Sequence, residues 1–462
     1  MRRCGFTIAM AAMLTGLAAY LYVVEFPAER QKLQTDTQTR KLLPFEERAI
    51  TGLTVHSSSG GSDIVLVPDD KRAWTITAPV RTDADTREVN DLLRALLLGT
   101  VTRVVEEQAA SLAPFGLEHP AVVLTILAGN RQETLSLGDI GPISSTLYAM
   151  RASDKQVLLT DLPPKILLTK TLAGLRKKEV LPVAQDQIER LRLSNPKTEV
   201  LLERLDEKNK RTWQVRFPVE AKADQPAVRN LLIKLEDLKA LAFVDAGTER
   251  DTLAARLGPP LVKITVTIGG TDQVMKLYQP NPSSGEAYAV TTLEAPIYKV
   301  NPTAIRDFTK DLFALQDKRL LGVDMGNIAM LSVKTREGRY VLVNENVEEW
   351  ALEDQPGKTL DQQVAGLFVS RVVDLPAELR VVRDPGPLAP YGLSSPAAEF
   401  VVTAKDGTTT HRLILGNKTS GLVYAMGSGL PGIYQARSDL LTQIPSKDSL
   451  FAKSEPAKTS SP

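Results

Sequence analysis

Apolar side chains recur in the same register three times along the chain. Each recurrence begins at a tryptophan, and the three tryptophans stand at nearly equal intervals: Trp74, Trp213 and Trp350. An apolar triplet with helical spacing follows each tryptophan, at an offset that is equal in the first two copies and one position shorter in the third: Val89/Leu92/Leu93, Val228/Leu231/Leu232 and Val364/Leu367/Phe368. A proline then precedes a Tyr-Ala pair by the same interval in each copy: Pro120 and Tyr148, Pro260 and Tyr288, Pro396 and Tyr424. Because these internal spacings agree, the sequence predicts one structural unit repeated three times.

Each copy is predicted to hold short antiparallel strands and one main amphipathic helix. Alternating apolar residues, interrupted by turn-forming Ser, Gly and Asp, predict strand hairpins around the tryptophans. Capping patterns predict the starts of the main helices: Asp85, Asp224 and Thr359. Closing helices are predicted in the first two copies, at 165–177 and 303–315. Because strands outnumber helices and cluster in hairpins, we predict an α+β fold, with a mainly antiparallel sheet and helices on one face of each unit.

The amino terminus carries an uncharged segment at 4–24. At about 1.5 Å per residue, a helix of this length spans the roughly 30 Å hydrocarbon core of a bilayer. Arg2 and Arg3 precede it, which favours a cytoplasmic amino terminus and an extracytoplasmic remainder. The competing interpretation is a cleaved signal peptide, but no small-x-small cleavage site follows the segment. We therefore predict an uncleaved transmembrane helix.

These patterns divide the chain into six parts. A transmembrane anchor is predicted at 1–24 and a polar tether at 25–48. The three copies follow as the first, second and third modules: 49–182, 186–322 and 326–452. A tail rich in Ser, Thr, Pro and Lys is predicted to be disordered at 453–462. The predicted fold class is therefore α+β, with a transmembrane helix ahead of three tandem modules.

Composition and charge argue against several classes of function. The chain carries 56 basic and 55 acidic residues, a formal net charge of +1, so no strong field attracts nucleic acid. Cys4 is the only cysteine, which excludes an intrachain disulfide and a zinc site built from several cysteines. The histidines lack the spacing of a metal-binding pair: His56, His119 and His411. We predict no metal, no cofactor and no nucleic-acid partner.

Two motifs imitate nucleotide-binding sites, but their context argues against that role. The run from Gly427 to Gly432 matches G-x-G-x-x-G, yet the residues after it predict a strand instead of the helix that would bind a phosphate. The Gly-Lys-Thr run at 357–359 resembles the end of a P-loop, but Leu352 stands where that motif needs its first glycine. We predict a hairpin turn at the first motif and no nucleotide partner. Since no G-x-S-x-G nucleophile elbow occurs either, no catalytic residue is predicted.

The phrase around two of the repeated prolines carries a family resemblance. It reads Phe-Gly-Leu-Glu-His-Pro at 115–120 and Tyr-Gly-Leu-Ser-Ser-Pro at 391–396, and a strand ending in Leu-Gly follows it. Together with the tryptophan, the helix and the Tyr-Ala strand, this arrangement resembles the bacterial domain of unknown function 4340 (DUF4340) family over most of the chain. The second module departs from it, with Ala-Arg-Leu-Gly-Pro-Pro at 255–260. The resemblance implies a single-anchor envelope protein, in a family with some members encoded near ABC-type permeases. It implies no catalytic residues.

The sequence supports three hypotheses of function. The first is a non-enzymatic, membrane-anchored scaffold or interaction protein, with its bulk extracytoplasmic at the bacterial inner membrane and a permease of ABC type as partner. The second is an envelope module that binds a glycan or lipid between modules, where the repeated tyrosines would line a groove. The third is an envelope hydrolase, which needs convergent carboxylates or a Ser-His contact in a cleft. We adopt the first, because the repeat explains most conspicuous residues, including the tyrosines, as packing positions.

Overall fold

A computed structural model describes residues 41–58, 61–207, 210–293, 296–346 and 349–451. Within these ranges the chain folds mostly into antiparallel strands, which belong to three sheets. Contacts divide it into two compact units. Of the described residues, the first unit holds those up to Val180 together with 239–253 and 296–300, and the second holds those within 181–238, 254–293 and from 301 to 451.

In the described part of the first module, strands are joined by short helices around one longer helix. The strands are β1 (Ile50–Ser57), β2 (Ile64–Pro68), β3 (Trp74–Ala78), β4 (Thr82–Asp83), β5 (Val101–Glu106), β6 (Val122–Ala128), β7 (Arg131–Ile140), β8 (Leu147–Arg151) and β9 (Val157–Thr160). The helices are α1 (Thr86–Leu98), α2 (Pro164–Leu167) and α3 (Leu172–Leu175). Short 3₁₀ turns form at Glu47–Ala49 and Ala113–Phe115.

The second module repeats this series of elements and adds a helix. Its strands are β10 (Arg190–Ser194), β11 (Glu199–Glu207), β12 (Lys210–Phe217), β13 (Ala221–Lys222), β14 (Ala242–Val244), β15 (Val262–Ile268), β16 (Thr271–Tyr278), β17 (Ala287–Thr291) and β18 (Ile297–Val300). Its helices are α4 (Gln225–Glu236), α5 (Thr248–Arg256), α6 (Thr303–Phe308) and α7 (Leu312–Leu315). The 3₁₀ turns are Gln185–Gln187 and Pro282–Ser284.

The third module repeats the series again, without a counterpart of the two-residue strands β4 and β13 among its described residues. Its strands are β19 (Ile328–Thr335), β20 (Arg339–Asn346), β21 (Glu349–Leu352), β22 (Leu379–Val382), β23 (Ala398–Ala404), β24 (Thr410–Thr419), β25 (Leu422–Gly427) and β26 (Leu430–Arg437). Its helices are α8 (Gln362–Val373) and α9 (Asp439–Thr442). The 3₁₀ turns are Met325–Asn327, Ala389–Tyr391 and Lys447–Leu450.

The strand order repeats between modules. The first sheet runs β4-β3-β2-β1-β6-β7-β8-β9-β5, and the third runs β21-β20-β19-β23-β24-β25-β26-β22. In the second unit, β13-β12-β11-β10-β15-β16-β17 repeats the first seven positions, while β18 and β14 belong to the first unit and pair with each other. The hairpin register is also kept, since three leucine pairs face one another: Leu53 and Leu66, Leu191 and Leu202, Leu331 and Leu342. Corresponding residues can therefore be identified from strand pairing as well as from sequence.

The core lies between one face of each sheet and its main helix. Side chains alternate along a strand, so β6 buries every second residue, among them Leu124 and Ile126. In α1 the predicted apolar stripe is buried against this face, including Leu92 and Leu93. The same arrangement in the third module places Phe368 of α8 beside Phe400 of β23, with ring centroids 6.3 Å apart. Burial of these faces is the main stabilising contribution in each module.

The predicted fold class, α+β with an N-terminal transmembrane helix, is not what the structure shows in the residues it describes. Antiparallel sheet dominates the part of the chain that the structure describes, and no helix there has the length and apolar character needed to span a bilayer. The anchor predicted at 1–24 and the tail predicted at 453–462 lie outside the described residues.

Helices contribute less than predicted because the closing helices break. The segment at 165–177 forms α2 and α3, and the segment at 303–315 forms α6 and α7. At the start of α3, the Thr171 hydroxyl accepts a hydrogen bond from the backbone N–H of Gly174 at 3.1 Å. The Asp311 carboxylate caps α7 in the same way. These side chains satisfy backbone groups that a continuous helix would have paired, so two short helices replace one.

The helix starts were predicted correctly in two modules out of three. Asp85 caps α1 and Asp224 caps α4, each accepting hydrogen bonds from backbone N–H groups of the first turn. In the third module the predicted start at Thr359 is wrong, because Asp361 caps α8. The true cap lies at the same offset from the tryptophan in all three modules.

The apolar triplet of the third module was also predicted one position out of register. Val364 and Leu367, expected in the core, are exposed, and Leu367 retains 51% of its accessible surface. Helix α8 instead buries Ala365, Phe368 and Val369. The buried stripe therefore starts at the same offset from the tryptophan in every module, and two apolar side chains are left on the outer face of α8.

The segments that enter the first and third modules are part of those modules' cores, and the segment ahead of the second module also holds buried apolar residues. Two apolar residues there are buried in each case: Leu42 and Leu43, Val180 and Leu181, Leu320 and Leu321. The backbone also pairs with the residues that follow the main helix, through Leu42 to Gly99, Ala240 to Lys178, and Leu320 to Leu375. Leu42 and Leu43 lie in the segment predicted as a polar tether at 25–48, so the packed structure begins before the predicted start of the first module.

The corrected register of α8 can be tested with two neighbouring truncations. Phe368→Ala removes a side chain that is 3% exposed, so we expect it to lower the free energy of unfolding by about 3–5 kcal/mol. Leu367→Ala removes an exposed side chain, and the expected loss is below about 1 kcal/mol. Urea unfolding followed by circular dichroism measures both. An equal or larger loss for Leu367→Ala would show that the predicted register was right and the structural one wrong.

Candidate functional site

The backbone of each tryptophan is hydrogen-bonded to a side chain at the start of the main helix. The tryptophan N–H donates to Thr86 Oγ1 in the first module at 3.3 Å, to Gln225 Oε1 in the second at 2.8 Å and to Gln362 Oε1 in the third at 2.7 Å. Both glutamines also donate from Nε2 back to the tryptophan carbonyl. These hydrogen bonds hold the start of the main helix against the tryptophan strand. A cavity lies beside them in every module.

The cavity beside Trp350 is the most apolar of the three. It has a volume of about 470 Å³. We call it the Trp350 pocket and define it by its lining residues: Met325, Gly326, Asn344, Trp350, Gln362, Gln363, Gly366, Leu367 and Lys405. Among these described residues, Lys405 alone has a titratable side chain, and its ammonium group forms no ion pair with any described residue. Its volume lies within the range of small-ligand sites.

In the corresponding cavity of the first module, the tryptophan indole and an arginine side chain are paired within the protein. It has a volume of about 390 Å³ and lies beside Trp74. The indole Nε1 of Trp74 donates to Asn90 Oδ1 at 3.1 Å. Arg72 fills part of the space and donates from Nη1 to the carbonyl of Ile50 at 2.8 Å and from Nη2 to that of Glu47 at 3.3 Å. The Trp74 indole and the Arg72 guanidinium at this cavity are therefore paired within the protein.

In the third module two smaller residues leave these groups without partners. Gly366 stands at the same offset from Trp350 as Asn90 does from Trp74, and a Cβ atom at Gly366 would have no neighbour within 4 Å. No described residue accepts a hydrogen bond from Nε1 of Trp350. Asn344 donates to the carbonyl of Ile328 at 3.0 Å, but its buried Oδ1 has no partner among the described residues.

In the second module, a longer side chain occupies the position that corresponds to Asn344. By hairpin register, Asn344 corresponds to Arg204, whose Nη1 donates to the carbonyls of both Asp186 and Ile188 at 2.7 Å. The longer side chain satisfies two carbonyls where the asparagine satisfies one. Sequence analysis missed both Asn344 and Gly366, because neither belongs to a motif. They stand out only when the modules are aligned by strand pairing.

The cavity of the second module is lined by charges that neutralise one another. It has a volume of about 440 Å³ and contains Asp317, Arg319, Asp324 and Lys222. Arg319 donates to Asp317 at 2.7 Å and to Asp324 at 3.0 Å, and the hydrogen bonds with Asp317 are the main cause of its raised pKa. For Asp324, burial acts to raise the carboxyl pKa, but hydrogen bonds from Arg319 and Lys222 outweigh it and the pKa is lowered. The raised pKa of Arg319 and the lowered pKa of Asp324 both favour the charged forms, so this network is a structural ion cluster.

The aromatic-Gly-Leu phrase builds a corner that packs on the Tyr-Ala strand. Phe115 meets Tyr148 edge to face with ring centroids 5.2 Å apart, and Tyr391 meets Tyr424 in the same way at 5.1 Å. In the second module, which lacks the corner aromatic, the Tyr288 hydroxyl donates to Glu286 at 3.0 Å. The contacts support the prediction that the repeated tyrosines are packing positions.

Close backbone approach explains the glycines of this corner. Gly392 has a φ of +70°, and a Cβ atom there would lie 2.8 Å from the backbone nitrogen of Asn417. At Gly416 a Cβ atom would lie 2.2 Å from the carbonyl oxygen of Tyr391. In the second module, where the corner differs, Tyr278 occupies the register position of Gly416. The aromatic-Gly-Leu residues are therefore explained by close packing at this corner.

The G-x-G-x-x-G run forms the predicted hairpin turn. Gly427 ends β25 and pairs with Leu430 of β26, so a strand and not a helix follows the motif. A Cβ atom at Gly427 would lie 2.1 Å from the carbonyl of Leu320, and one at Gly429 would lie 2.4 Å from the nitrogen of Gly322. These glycines allow the hairpin to pack against the segment that enters the module.

The histidines are not brought together in the structure. Nδ1 of His56 lies 2.7 Å from Asp63 at an exposed position, whereas His119 lies at the corner and His411 on β24. Within the described residues, no group of three or more His, Cys, Asp and Glu side chains is arranged to hold a metal ion. No catalytic, cofactor-binding or metal-binding residue was predicted from the sequence. The pockets beside the tryptophans are visible only in the structure.

Two glycine substitutions distinguish the effect of close packing on stability from the effect of backbone conformation. Gly258 has a φ of +67°, and a Cβ atom added there would have no neighbour within 4 Å, so Gly258→Ala should cost about 1–2 kcal/mol for its left-handed conformation. Gly392→Ala has the same conformational cost and in addition drives a methyl group into Asn417, so we expect a further loss of about 1–3 kcal/mol. Urea unfolding measures the difference. Equal losses would show that the corner is not tightly packed.

Comparison with protein families gives three overlapping matches to one family model, described as a domain of unknown function (DUF4340). They cover residues 74–260, 213–396 and 368–458. The first two begin at a repeated tryptophan and end at the repeated proline of the next module, which supports repeated copies. No match was found among curated proteins or among solved structures. Because the matches span most of the chain and agree with the repeated strand order, the protein belongs to the DUF4340 family, in several tandem copies.

Proposed function

We propose that this protein is a non-enzymatic interaction protein of the bacterial envelope. In this proposal, an N-terminal segment holds it at the inner membrane, its modules lie outside the cytoplasm, and its partner is a membrane permease of ABC type. The third module makes the contact. The observation that carries the proposal is the open Trp350 pocket, together with the apolar side chains that α8 leaves exposed beside it.

The chemistry of the pocket wall supports binding. Its side chains are indole, thioether, aliphatic and amide groups with one exposed lysine. Amide and indole groups orient a ligand by hydrogen bonds, and apolar groups exclude water from it. General acid–base catalysis would require a group that titrates near the working pH and is positioned on a reacting atom.

The exposed apolar surface beside the pocket supports a protein partner. Val364 and Leu367 point outward from α8, and Leu367 also lines the pocket. Clustered exposed apolar side chains next to a cavity are typical of interaction sites, whereas isolated ones are common on any surface. The repeated aromatic and glycine residues are already used within the modules, so variation between modules is where recognition can differ.

The N-terminal sequence supports the proposed location. Residues 4–24 carry no charge and follow Arg2 and Arg3. This length and these flanking residues favour membrane attachment with the following chain outside the cytoplasm.

Membrane attachment is tested by fractionating cells that express the full chain. We expect the protein in the membrane fraction after a high-salt wash, and degraded by protease added to spheroplasts. The double variant Leu14→Arg and Leu17→Arg puts two charges into the uncharged segment, at a cost of about 2.5–3.5 kcal/mol each for insertion, so it should move to the soluble fraction. Recovery of the parent chain in the soluble fraction would contradict the proposal.

The partner is tested by cross-linking and purification in mild detergent. We expect a permease subunit to be recovered with the parent chain and to be lost when Val364 and Leu367 are both replaced by Asp, which removes the exposed apolar pair without touching the buried stripe. The matched control is Arg371→Asp, at an exposed position of the same helix outside the pocket wall. Recovery of the parent chain alone, under several detergents, would overturn the proposed partner.

A further inference from the structure

We infer that the Trp350 pocket binds the carboxyl-terminal end of a peptide with an apolar last residue. This inference rests on the proposed function and gives the chemistry of the partner segment. It follows from four features of the pocket: an unpaired donor, an unpaired acceptor, an apolar surface and a cation with no ion-pair partner among the described residues.

The unpaired donor and acceptor together fit an amide. Nε1 of Trp350 is a donor without an acceptor among the described residues, and Oδ1 of Asn344 is an acceptor without a donor there. Of the two, Asn344 Oδ1 is buried, and a buried polar group without a partner costs free energy that a hydrogen-bond donor can recover. A peptide bond offers a carbonyl and an N–H in one rigid unit, so it can serve both groups, whereas a hydrocarbon chain can serve neither.

In the first module the corresponding groups are satisfied inside the protein, whereas in the second module Nε1 of Trp213 has no acceptor among the described residues. Asn90 accepts from the Trp74 indole, and Arg72 donates to the carbonyl of Ile50. In the third module the position of Asn90 is Gly366, with open space around it, and the carbonyl of Ile328 is served by the short side chain of Asn344. The third module thus keeps the scaffold but has a glycine in place of Asn90, and a ligand in the pocket would supply the partner that Asn90 supplies in the first module.

The remaining wall selects the end of the peptide. Met325 and Leu367 offer apolar surface for a side chain, and the backbone at Gly366 allows close approach. Lys405 is exposed and lines the same pocket. A free carboxylate placed near its ammonium group gains a charge-assisted hydrogen bond, which an internal peptide segment would not supply. A pocket of about 470 Å³ suits the last few residues of a chain.

The inference is tested by fluorescence anisotropy with the full chain purified in detergent. The probes are N-terminally labelled heptapeptides that end in Leu, Phe or Val, each made with a free carboxylate and with a carboxamide. We expect saturable binding at one site for the free acids and binding about tenfold or more weaker for the amides. No saturable binding of any free acid, or equal affinity for acid and amide, would overturn the inference.

Two variants locate the binding in this pocket. Gly366→Asn places the residue of the first module beside Trp350, where it can pair with Nε1 and occupy the space, so it should abolish binding of acids and amides alike. Helix stability should not suffer, because glycine is the weaker helix former. Lys405→Gln should weaken the acids about tenfold and leave the amides unchanged. Arg371→Asn, on the same helix outside the pocket wall, is the matched control, and circular dichroism confirms that each variant is folded.

The results also separate this inference from the proposed function. If Gly366→Asn binds peptide as well as the parent chain does, the pocket is not the site and the inference fails, even where a permease is still recovered in detergent. If the peptides bind as expected but no permease is recovered, the proposed partner fails and the pocket chemistry stands.

Discussion

The hydrogen bonds between the tryptophan backbone and the first turn of the main helix determine how each module is assembled. The tryptophan strand lies near the edge of its sheet, next to a two-residue strand in the first two modules and at the edge in the third. A side chain at the helix start, glutamine in two modules and threonine in one, provides the partner that a full neighbouring strand would otherwise give. Because the same residue begins the helix, the bond places the apolar stripe of the helix over the apolar face of the sheet. This local bond contributes modestly to stability, and the burial of the two apolar faces that it holds together contributes more.

The sequence predicted the elements whose signal is local. The repeat itself, the caps at Asp85 and Asp224, and the hairpin at Gly427 depend on spacing or on a few neighbouring residues, and the structure agrees with them. The predicted closing helices failed because Thr171 and Asp311 can either face solvent within a helix or cap a new one, and only tertiary packing decides between these. In the third module, Val364 and Leu367 resemble a buried pair by composition, and a shift of one position turns them to the outside. Whether residues 4–24 form a membrane helix stays a prediction, since they lie outside the described residues.

The Trp350 pocket was beyond the reach of sequence reasoning for a different reason. A motif search finds residues that are present in a characteristic pattern, whereas this pocket results from two small residues standing where larger ones stand elsewhere. Gly366 and Asn344 are individually ordinary residues of a helix and a strand. Their meaning depends on knowing that Asn90 and Arg204 occupy the corresponding positions and form bonds there. That knowledge requires the register of the strands, which aligns residues across modules where insertions shift the sequence offsets.

Internal repetition makes such a difference between modules informative. The modules share strand order, helix placement and buried entry residues, so each position in one module can be compared with the corresponding positions in the other two. Where all three modules have the same residue, as at the tryptophans, a contribution to the stability of the module is a sufficient reason for that residue. Where the corner aromatic is lost in the second module, Tyr278 takes the place of a glycine, so one structural change accompanies another. In the third module Gly366 stands where the first has Asn90, and no described residue pairs with Oδ1 of Asn344. An unpaired buried acceptor is costly, and it lies beside an open cavity and an exposed apolar pair; the proposed partner would supply the missing contact.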